Sequence, residues 1–72
     1  MKYLAVYTWE EEQWSVTFPQ FPGCVTCGKT LDEAMMNAQE ALTGHVEAMK
    51  ADGDQVPDGY ENEELLMCVK ID

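Results

Sequence analysis

The sequence predicts an α+β domain in which one helix packs on one face of a mixed four-stranded sheet, in the order β-β-β-α-β. Three observations support this prediction. Apolar side chains alternate with a period of two within residues 2–18, as in strands. They recur with a period of 3.6 within residues 31–51, as in an amphipathic helix. Glycine, proline and aspartate cluster between these segments. With 72 residues, the chain is expected to form a single domain.

The first two strands are predicted to form a β-hairpin. Residues 2–9 and 13–18 contain no glycine or proline, and a polar loop of about four residues joins them. Placing Trp9 opposite Trp14 fixes the register. The further pairs on that face are Tyr7 with Val16 and Ala5 with Phe18. Because this face is strongly apolar and aromatic, we expect the helix to cover it.

The helix over residues 31–51 carries the clearest boundary signals. Thr30 is a good N-cap, and Glu33 three residues later completes a capping box. Gly53 is a plausible helix stop.

Two further strands complete the predicted sheet. A short third strand over 24–27 follows the turn at Pro22-Gly23. The last strand, over 64–71, is apolar on both faces, which indicates burial on both faces or parallel pairing. We expect the strand order 3-2-1-4.

The charge balance excludes several classes of partner. The chain contains fourteen acidic residues, four lysines and no arginine, and its net charge is −10. Phosphate backbones require Lys and Arg, so neither nucleic acid nor an anionic membrane is an expected partner. A field of this sign attracts cationic proteins; the alternative is that the charge serves solubility alone. No apolar run or leader is evident, and three cysteines do not close a disulfide framework, so we expect a cytoplasmic protein.

Residues 23–30 match the phosphate-loop pattern G-x-x-x-x-G-K-[ST]. A functional loop of this kind follows an uninterrupted strand, whereas Pro19 and Pro22 interrupt the approach here. A structural interpretation accounts for each fixed position: a turn at Gly23, a bend at Gly28 and a helix cap at Thr30.

The cysteines and the single histidine are weak candidates for chemistry. Cys24 and Cys27 resemble a redox pair or half of a zinc site, but in an extended segment their side chains point to opposite faces. The remaining ligand candidates, Cys68 and His45, lie on other elements. No carboxylate lies within a strand before Glu64. We therefore expect packing roles, no catalytic residue, no metal, no cofactor and no enzymatic activity.

Two surfaces are candidates for binding a protein. Aromatic residues beside charges are typical of binding hot spots, and loops on a rigid sheet often carry function. The predicted partner-binding residues are Trp9, Glu10, Glu11, Glu12, Trp14, Phe21, Pro22 and Gly23. The alternative for the hairpin is a solvated tip with both tryptophans in the core. The second surface is the sheet face away from the helix, which is either solvated or an oligomer surface. Four residues favour partial burial by a second subunit: Leu4, Val6, Leu66 and Cys68.

Residues 18–34 read FPQFPGCVTCGKTLDEA, and residues 37–41 read NAQEA. The sequence here resembles the N-terminal domain of HicB antitoxins, with the signature F-P-D-[LF]-P-G-C-x-T-x-G-x-T-x-x-E-A and a following N-A-x-E-A. The resemblance implies a partial RNase H-like fold without nuclease activity. It also implies a toxin–antitoxin system in which the protein binds and occludes a small basic HicA-type toxin that cleaves mRNA.

Two departures from the family pattern bear on function. Most family members carry a C-terminal DNA-binding domain, and this chain stops at Asp72, so we do not expect it to bind operator DNA alone. Gln20 stands where the family usually has Asp. The alternative to an antitoxin is an orphan structural or regulatory homo-oligomer with no toxin partner. A third hypothesis is a thiol enzyme using Cys24 and Cys27.

Overall fold

A computed structural model describes residues 2–59 and 68–70 of the chain. Its elements are β1 (Lys2–Leu4), β2 (Val6–Glu10), β3 (Gln13–Thr17), β4 (Val25–Gly28), α1 (Leu31–Ala51) and β5 (Cys68–Lys70). The α+β class and the β-β-β-α-β order are confirmed, except that the predicted first strand is divided at Ala5. Residues 64–67 and 71 of the predicted last strand lie outside the described residues. No helix of the described part is long and apolar enough to cross a membrane.

The strands pair as two sheets, β2-β3-β4 and β1-β5. Because β1 leads into β2 through Ala5, the strand neighbours are those of the predicted order 3-2-1-4. The parallel pairing considered for the last strand is wrong, since β5 runs antiparallel to β1 and the other described pairs are also antiparallel. Among the described strands every pair is therefore antiparallel, in contrast to the predicted mixed sheet. An apolar pattern on both faces of a strand is common in parallel sheets because it accompanies burial on both faces, but it does not by itself determine strand direction.

The hairpin has the predicted register, with Trp9 opposite Trp14 and Tyr7 opposite Val16. Its turn is shorter than expected, because the strands extend to the pair of Glu10 and Gln13. Only two residues remain at the turn, Glu11 with φ 52° and Glu12 with φ 61°. Two successive left-handed residues characterise a type I′ turn, for which Asn-Gly is the preferred sequence.

Helix α1 has the predicted bounds, Leu31–Ala51. The Thr30 hydroxyl oxygen accepts a hydrogen bond of 3.1 Å from the backbone N–H of Glu33, which is one half of the predicted capping box. The Glu33 carboxylate accepts its bond, of 3.2 Å, from the backbone N–H of Lys29 and not from that of Thr30. At the other end, Gly53 has φ 78°, and its N–H donates to the Lys50 carbonyl at 3.2 Å. These bonds satisfy backbone groups that the helix termini would otherwise leave unpaired.

The hydrophobic core lies between α1 and the aromatic face of the hairpin, as predicted. The helix contributes the stripe Ala34, Ala38, Leu42 and Val46, and the rest of the chain contributes Tyr3, Ala5, Val16, Phe18, Phe21 and Cys24. Gly28 is the last residue of β4 and lies against the backbone of Glu33 and Ala34 at the start of the helix. A Cβ atom there would lie 2.7 Å from the Cα of Ala34, so Gly28 is a close-packing position, not the predicted bend.

Candidate functional site

The two tryptophans form an edge-to-face pair near the end of the hairpin. Their ring centroids are 5.4 Å apart, with an interplanar angle of 61°. Trp14 is half-buried and packs against the core, whereas Trp9 is 55% exposed. The alternative in which both tryptophans lie in the core therefore holds for Trp14 only. About half of the Trp9 surface is exposed to solvent.

Three exposed glutamates follow Trp9 at the end of the hairpin: Glu10, whose side chain points to the opposite face of β2, and then Glu11 and Glu12 at the turn. A left-handed backbone costs an L-residue roughly 1–2 kcal/mol, and two adjacent glutamates adopt it here. Backbone strain of this kind often accompanies functional sites. We call Trp9, Glu10, Glu11, Glu12 and Trp14 the tip surface. Its chemistry suits a cationic group, which carboxylates attract and an indole face can also stabilise.

The tip surface lies beside the start of α1. Gly28 pairs with Trp14, and Trp14 with Trp9, so the three share one side of the sheet. Ala34 packs over Gly28, which places the first turn of the helix next to Trp14. The first five residues of α1 carry exposed apolar side chains, Leu31 and Met35, and exposed acidic side chains, Asp32 and Glu33. The acidic and apolar character of the tip thus extends onto the helix.

The loop at residues 21–23 divides into a buried anchor and an exposed turn. Phe21 is 1% exposed and packs edge-to-face on Tyr3 and His45, with ring centroids 4.9 Å and 5.7 Å away. Its side chain is a core residue, so the prediction that it faces a partner is corrected. Pro22 and Gly23 are exposed, and Gly23 has φ 89°. Sequence alone did not separate these roles, because an aromatic residue between prolines suits both.

Two hydrogen bonds fasten the chain after the helix to this side of the molecule. The Tyr3 hydroxyl donates to the Pro57 carbonyl, and Gln20 Nε2 donates to the Asp58 carbonyl, both at 2.8 Å. Burial, and secondarily the charge of Asp58, raises the pKa of the Tyr3 phenol, which keeps its proton available for donation. Gln20 stands where the family pattern has Asp, and an ionised carboxylate could not donate this bond. The amide therefore has a definite structural role.

We expect Gln20→Glu to lower the free energy of unfolding by about 1–3 kcal/mol at pH 7. The introduced carboxylate would face the Asp58 carbonyl without a proton, and Gln20 Oε1 is already buried without a hydrogen-bond donor among the described residues. The folded state would then favour the protonated acid, so the loss should shrink as the pH falls below about 5. Urea denaturation at pH 7 and pH 4.5 measures both effects.

Gln55→Glu is the matched control, because Gln55 is exposed and the added charge is the same. It should change stability by less than about 0.5 kcal/mol. Equal losses in the two variants, or a loss for Gln20→Glu that ignores pH, would contradict the assigned role of the Gln20 amide.

The two nearby cysteines have separate environments, on opposite faces as predicted. Cys24 is buried; its thiol donates weakly to the Ala41 carbonyl at 3.9 Å, and burial raises its pKa. Cys27 is exposed, so the packing role expected for it does not hold within this chain. His45 packs against Phe21, as a packing role predicts. In the described part of the chain, no three His, Cys, Asp or Glu side chains are grouped to hold a metal ion.

The segment that matches the phosphate-loop pattern, residues 23–30, forms a turn, a strand and a helix cap. Residues Val25–Gly28 form β4 and pair in register with β3 from Trp14 to Thr17, so this segment is not wrapped as an anion-binding loop. Gly23 is a turn residue, and Thr30 caps the helix. The structural interpretation is confirmed at these two positions.

The chain matches a known protein family over nearly its whole length. A model described as a HicB-like antitoxin of bacterial toxin–antitoxin systems matches residues 3–69. A UPF0150 protein of Thermoplasma acidophilum is 38% identical over 58 residues, covering 79% of this chain and 84% of that protein. An uncharacterised 14.9 kDa protein from the rep–hol intergenic region of Haemophilus phage HP1 is 41% identical over 51 residues. The match covers 71% of this chain but only 38% of the phage protein.

Solved structures agree with this match. The N-terminal domain of the Burkholderia pseudomallei antitoxin HicB superposes with a TM-score of 0.77 at 26% identity, covering 100% of this chain and 99% of that domain. A chain of the HicA3–HicB3 toxin–antitoxin complex superposes with a TM-score of 0.72 at 29% identity, covering 86% of this chain and 72% of that one. The complete Burkholderia pseudomallei antitoxin HicB is similar over 64% of its length.

Proposed function

The chain belongs to the HicB-like antitoxin family of bacterial toxin–antitoxin systems, and from this we propose that it binds a small basic HicA-type toxin and covers its RNA-cleaving site. Similarity to a chain of the HicA3–HicB3 complex supports the proposal. The protein would act by binding, without catalysis of its own. Because the proposed target cleaves mRNA, we place its action in the cytoplasm.

The tip surface is the observation that favours a basic partner. It combines three exposed carboxylates with an indole that is 55% exposed, on a chain of net charge −10. Such a field speeds encounter with a cationic protein, and the speed falls as salt screens it.

Within the contact, the aromatic and acidic residues would have different roles. Burying the indole of Trp9 against the toxin would supply affinity, because desolvated tryptophans dominate many interfaces. The glutamates would pair with lysine and arginine side chains, which fixes orientation and disfavours acidic competitors. The exposed Pro22 and Gly23 remain weaker candidates for contact.

The test exchanges the strained glutamates for the residues that this turn prefers. Glu11→Asn/Glu12→Gly should raise the free energy of unfolding by about 1–2 kcal/mol, because asparagine and glycine tolerate left-handed φ. The same variant should bind a HicA-type toxin from the same genome at least tenfold more weakly. Trp9→Ala should weaken binding by a similar factor. Titration calorimetry at low and high salt, and inhibition of RNA cleavage, measure the effect.

Glu40→Gln/Glu47→Gln is the charge-matched control. It removes two carboxylates from exposed positions of α1 away from the tip and leaves the turn unchanged. If both double variants bind equally weakly, net charge acts at long range and the tip is not the contact. If the natural chain neither binds nor inhibits any HicA-type toxin of its genome, the antitoxin proposal is wrong and the orphan homo-oligomer is favoured.

A further inference from the structure

Helix α1 presents a short apolar ridge near its N-terminus. Leu31 is 43% exposed and Met35 is 52% exposed, and residues four apart on a helix are neighbours on one face. Neither side chain belongs to the buried stripe that faces the core. We call these two residues the apolar ridge.

The rotation of α1 about its axis places the apolar ridge on the side of the two tryptophans. Asn37 Nδ2 donates a hydrogen bond of 2.8 Å to the Cys27 carbonyl, which fixes the flank of α1 that lies over β4. Met35 is two residues earlier, about 160° around the helix axis from Asn37. The buried stripe lies between these flanks, so Met35 is on the flank towards β3 and β2, where Trp14 and Trp9 lie. The apolar ridge is therefore continuous with the tip surface.

The thioether of an exposed methionine is a site of reversible oxidation. Its sulfur lone pair attacks one oxygen of a peroxide, the O–O bond breaks, and the other oxygen leaves as water or an alcohol. The sulfur loses two electrons and the peroxide gains them. The sulfoxide product is polar, so it disrupts the apolar contacts that the thioether made.

The other described sulfur atoms lie away from the tip surface. Cys24 is buried, and burial raises the pKa of its thiol, which leaves little reactive thiolate. Cys27 is exposed, but strand alternation points it away from α1. Met49 packs against the core, and Met36 is 71% exposed on the outer side of α1. Among the residues that the structure describes, Met35 alone combines an exposed sulfur with a place beside the tryptophans.

We propose that Met35 is a redox-sensitive contact residue, which in its thioether form packs with Trp9 against the basic partner and on oxidation by a peroxide releases it. This inference rests on the proposed function, because it concerns regulation of the same surface. A peroxide leaves the carboxylates of the tip surface unchanged, so the attraction that speeds encounter is kept. The loss of affinity should therefore appear as faster dissociation at a nearly constant association rate.

The first experiment compares three full-length chains, each with Cys27→Ser to remove the exposed thiol: one otherwise natural, one with Met35→Leu and one with Met36→Leu. Leucine has a similar volume to methionine and contains no sulfur. Each chain is treated with hydrogen peroxide and freed of it, and dithiothreitol then restores oxidised thiols but not sulfoxides. Peptide mass spectrometry locates the added oxygen, and circular dichroism checks that the treated chains remain folded.

Binding to a HicA-type toxin of the same genome is then measured by surface plasmon resonance. Oxidation should weaken binding roughly tenfold, through the dissociation rate, in the otherwise natural chain and in Met36→Leu. Met35→Leu should bind equally well before and after treatment. Methionine sulfoxide reductases should restore the affinity of the oxidised natural chain.

Two further measurements do not depend on oxidation of the toxin complex. Met35→Gln places a polar side chain at the ridge permanently and should bind roughly tenfold more weakly, whereas Met36→Gln should bind normally. Without any toxin, oxidation should change the indole emission of Met36→Leu but not that of Met35→Leu, because only Met35 lies beside the tryptophans.

The outcomes separate this inference from the function on which it rests. If the untreated chain binds no HicA-type toxin of its genome, the proposed function is wrong and the regulation fails with it. If the untreated chain binds, but oxidation has no effect or acts equally on Met35→Leu and Met36→Leu, only the role of Met35 is overturned.

Discussion

Phe21→Ala is expected to lower the free energy of unfolding by about 3–5 kcal/mol, the usual cost of truncating a fully buried phenylalanine. The ring is 1% exposed and is enclosed by Tyr3 and His45, so its removal leaves a cavity in the core. A domain of this size has a total stability of about 4–11 kcal/mol. The variant should therefore be partly unfolded at moderate temperature. Thermal and urea denaturation followed by circular dichroism measure the loss.

Pro22→Ala is the control for this prediction, since Pro22 is adjacent and exposed. It should shift stability by less than about 1 kcal/mol. If Phe21→Ala kept full stability and only weakened binding to a partner, the aromatic ring would be a contact residue, as the sequence first indicated.

Gly28→Ala is expected to destabilise the protein by about 3 kcal/mol, at the upper end of the usual overpacking cost. The added Cβ would meet the amide nitrogen of Ala34, its Cα at 2.7 Å and the carbonyl carbon of Glu33 at 2.9 Å. These are backbone atoms that cannot rotate away, so the first turn of α1 would have to move off β4. A fall of roughly 10–25 °C in Tm should result.

Gly44→Ala is the control, since it makes the same chemical change as Gly28→Ala but should stabilise the protein. Apart from its chain neighbours and the nearby backbone of α1 itself, no described atom lies within 4 Å of a Cβ at Gly44, which is inside α1. Alanine should therefore stabilise the helix by about 0.5–1 kcal/mol. Similar effects at Gly28 and Gly44 would mean that helix and strand are not in close contact at Gly28.

The elements that the sequence predicted well are those with local signals. The helix begins after Thr30 and ends before Gly53 because short-range hydrogen bonds define both ends. The register from Trp9 to Trp14 followed from alternation and the length of the connection, which are also local. Exposure of Trp9 and burial of Phe21 depend on how far the helix extends over the sheet. Composition does not specify that distance.

The features that the sequence did not predict depend on contacts between distant segments. The division of the first strand at Ala5 accompanies a change of partner, since β1 pairs with β5 and β2 pairs with β3. The direction of β5 is a property of the whole chain path. The role of Gln20 became clear only from its bond to Asp58, 38 positions away.

The Trp9–Trp14 pair gives the molecule a built-in optical label. The chain contains two tryptophans, and both lie at the tip surface with their rings 5.4 Å apart. Indole emission and the indole bands of the near-ultraviolet circular dichroism therefore arise from this single place. Comparing quenching by a soluble anion with quenching by an uncharged compound would separate the effect of negative charge at the tip surface from the accessibility of Trp9. The arrival of a partner at the hairpin could thus be followed in the unmodified protein, without attaching a dye.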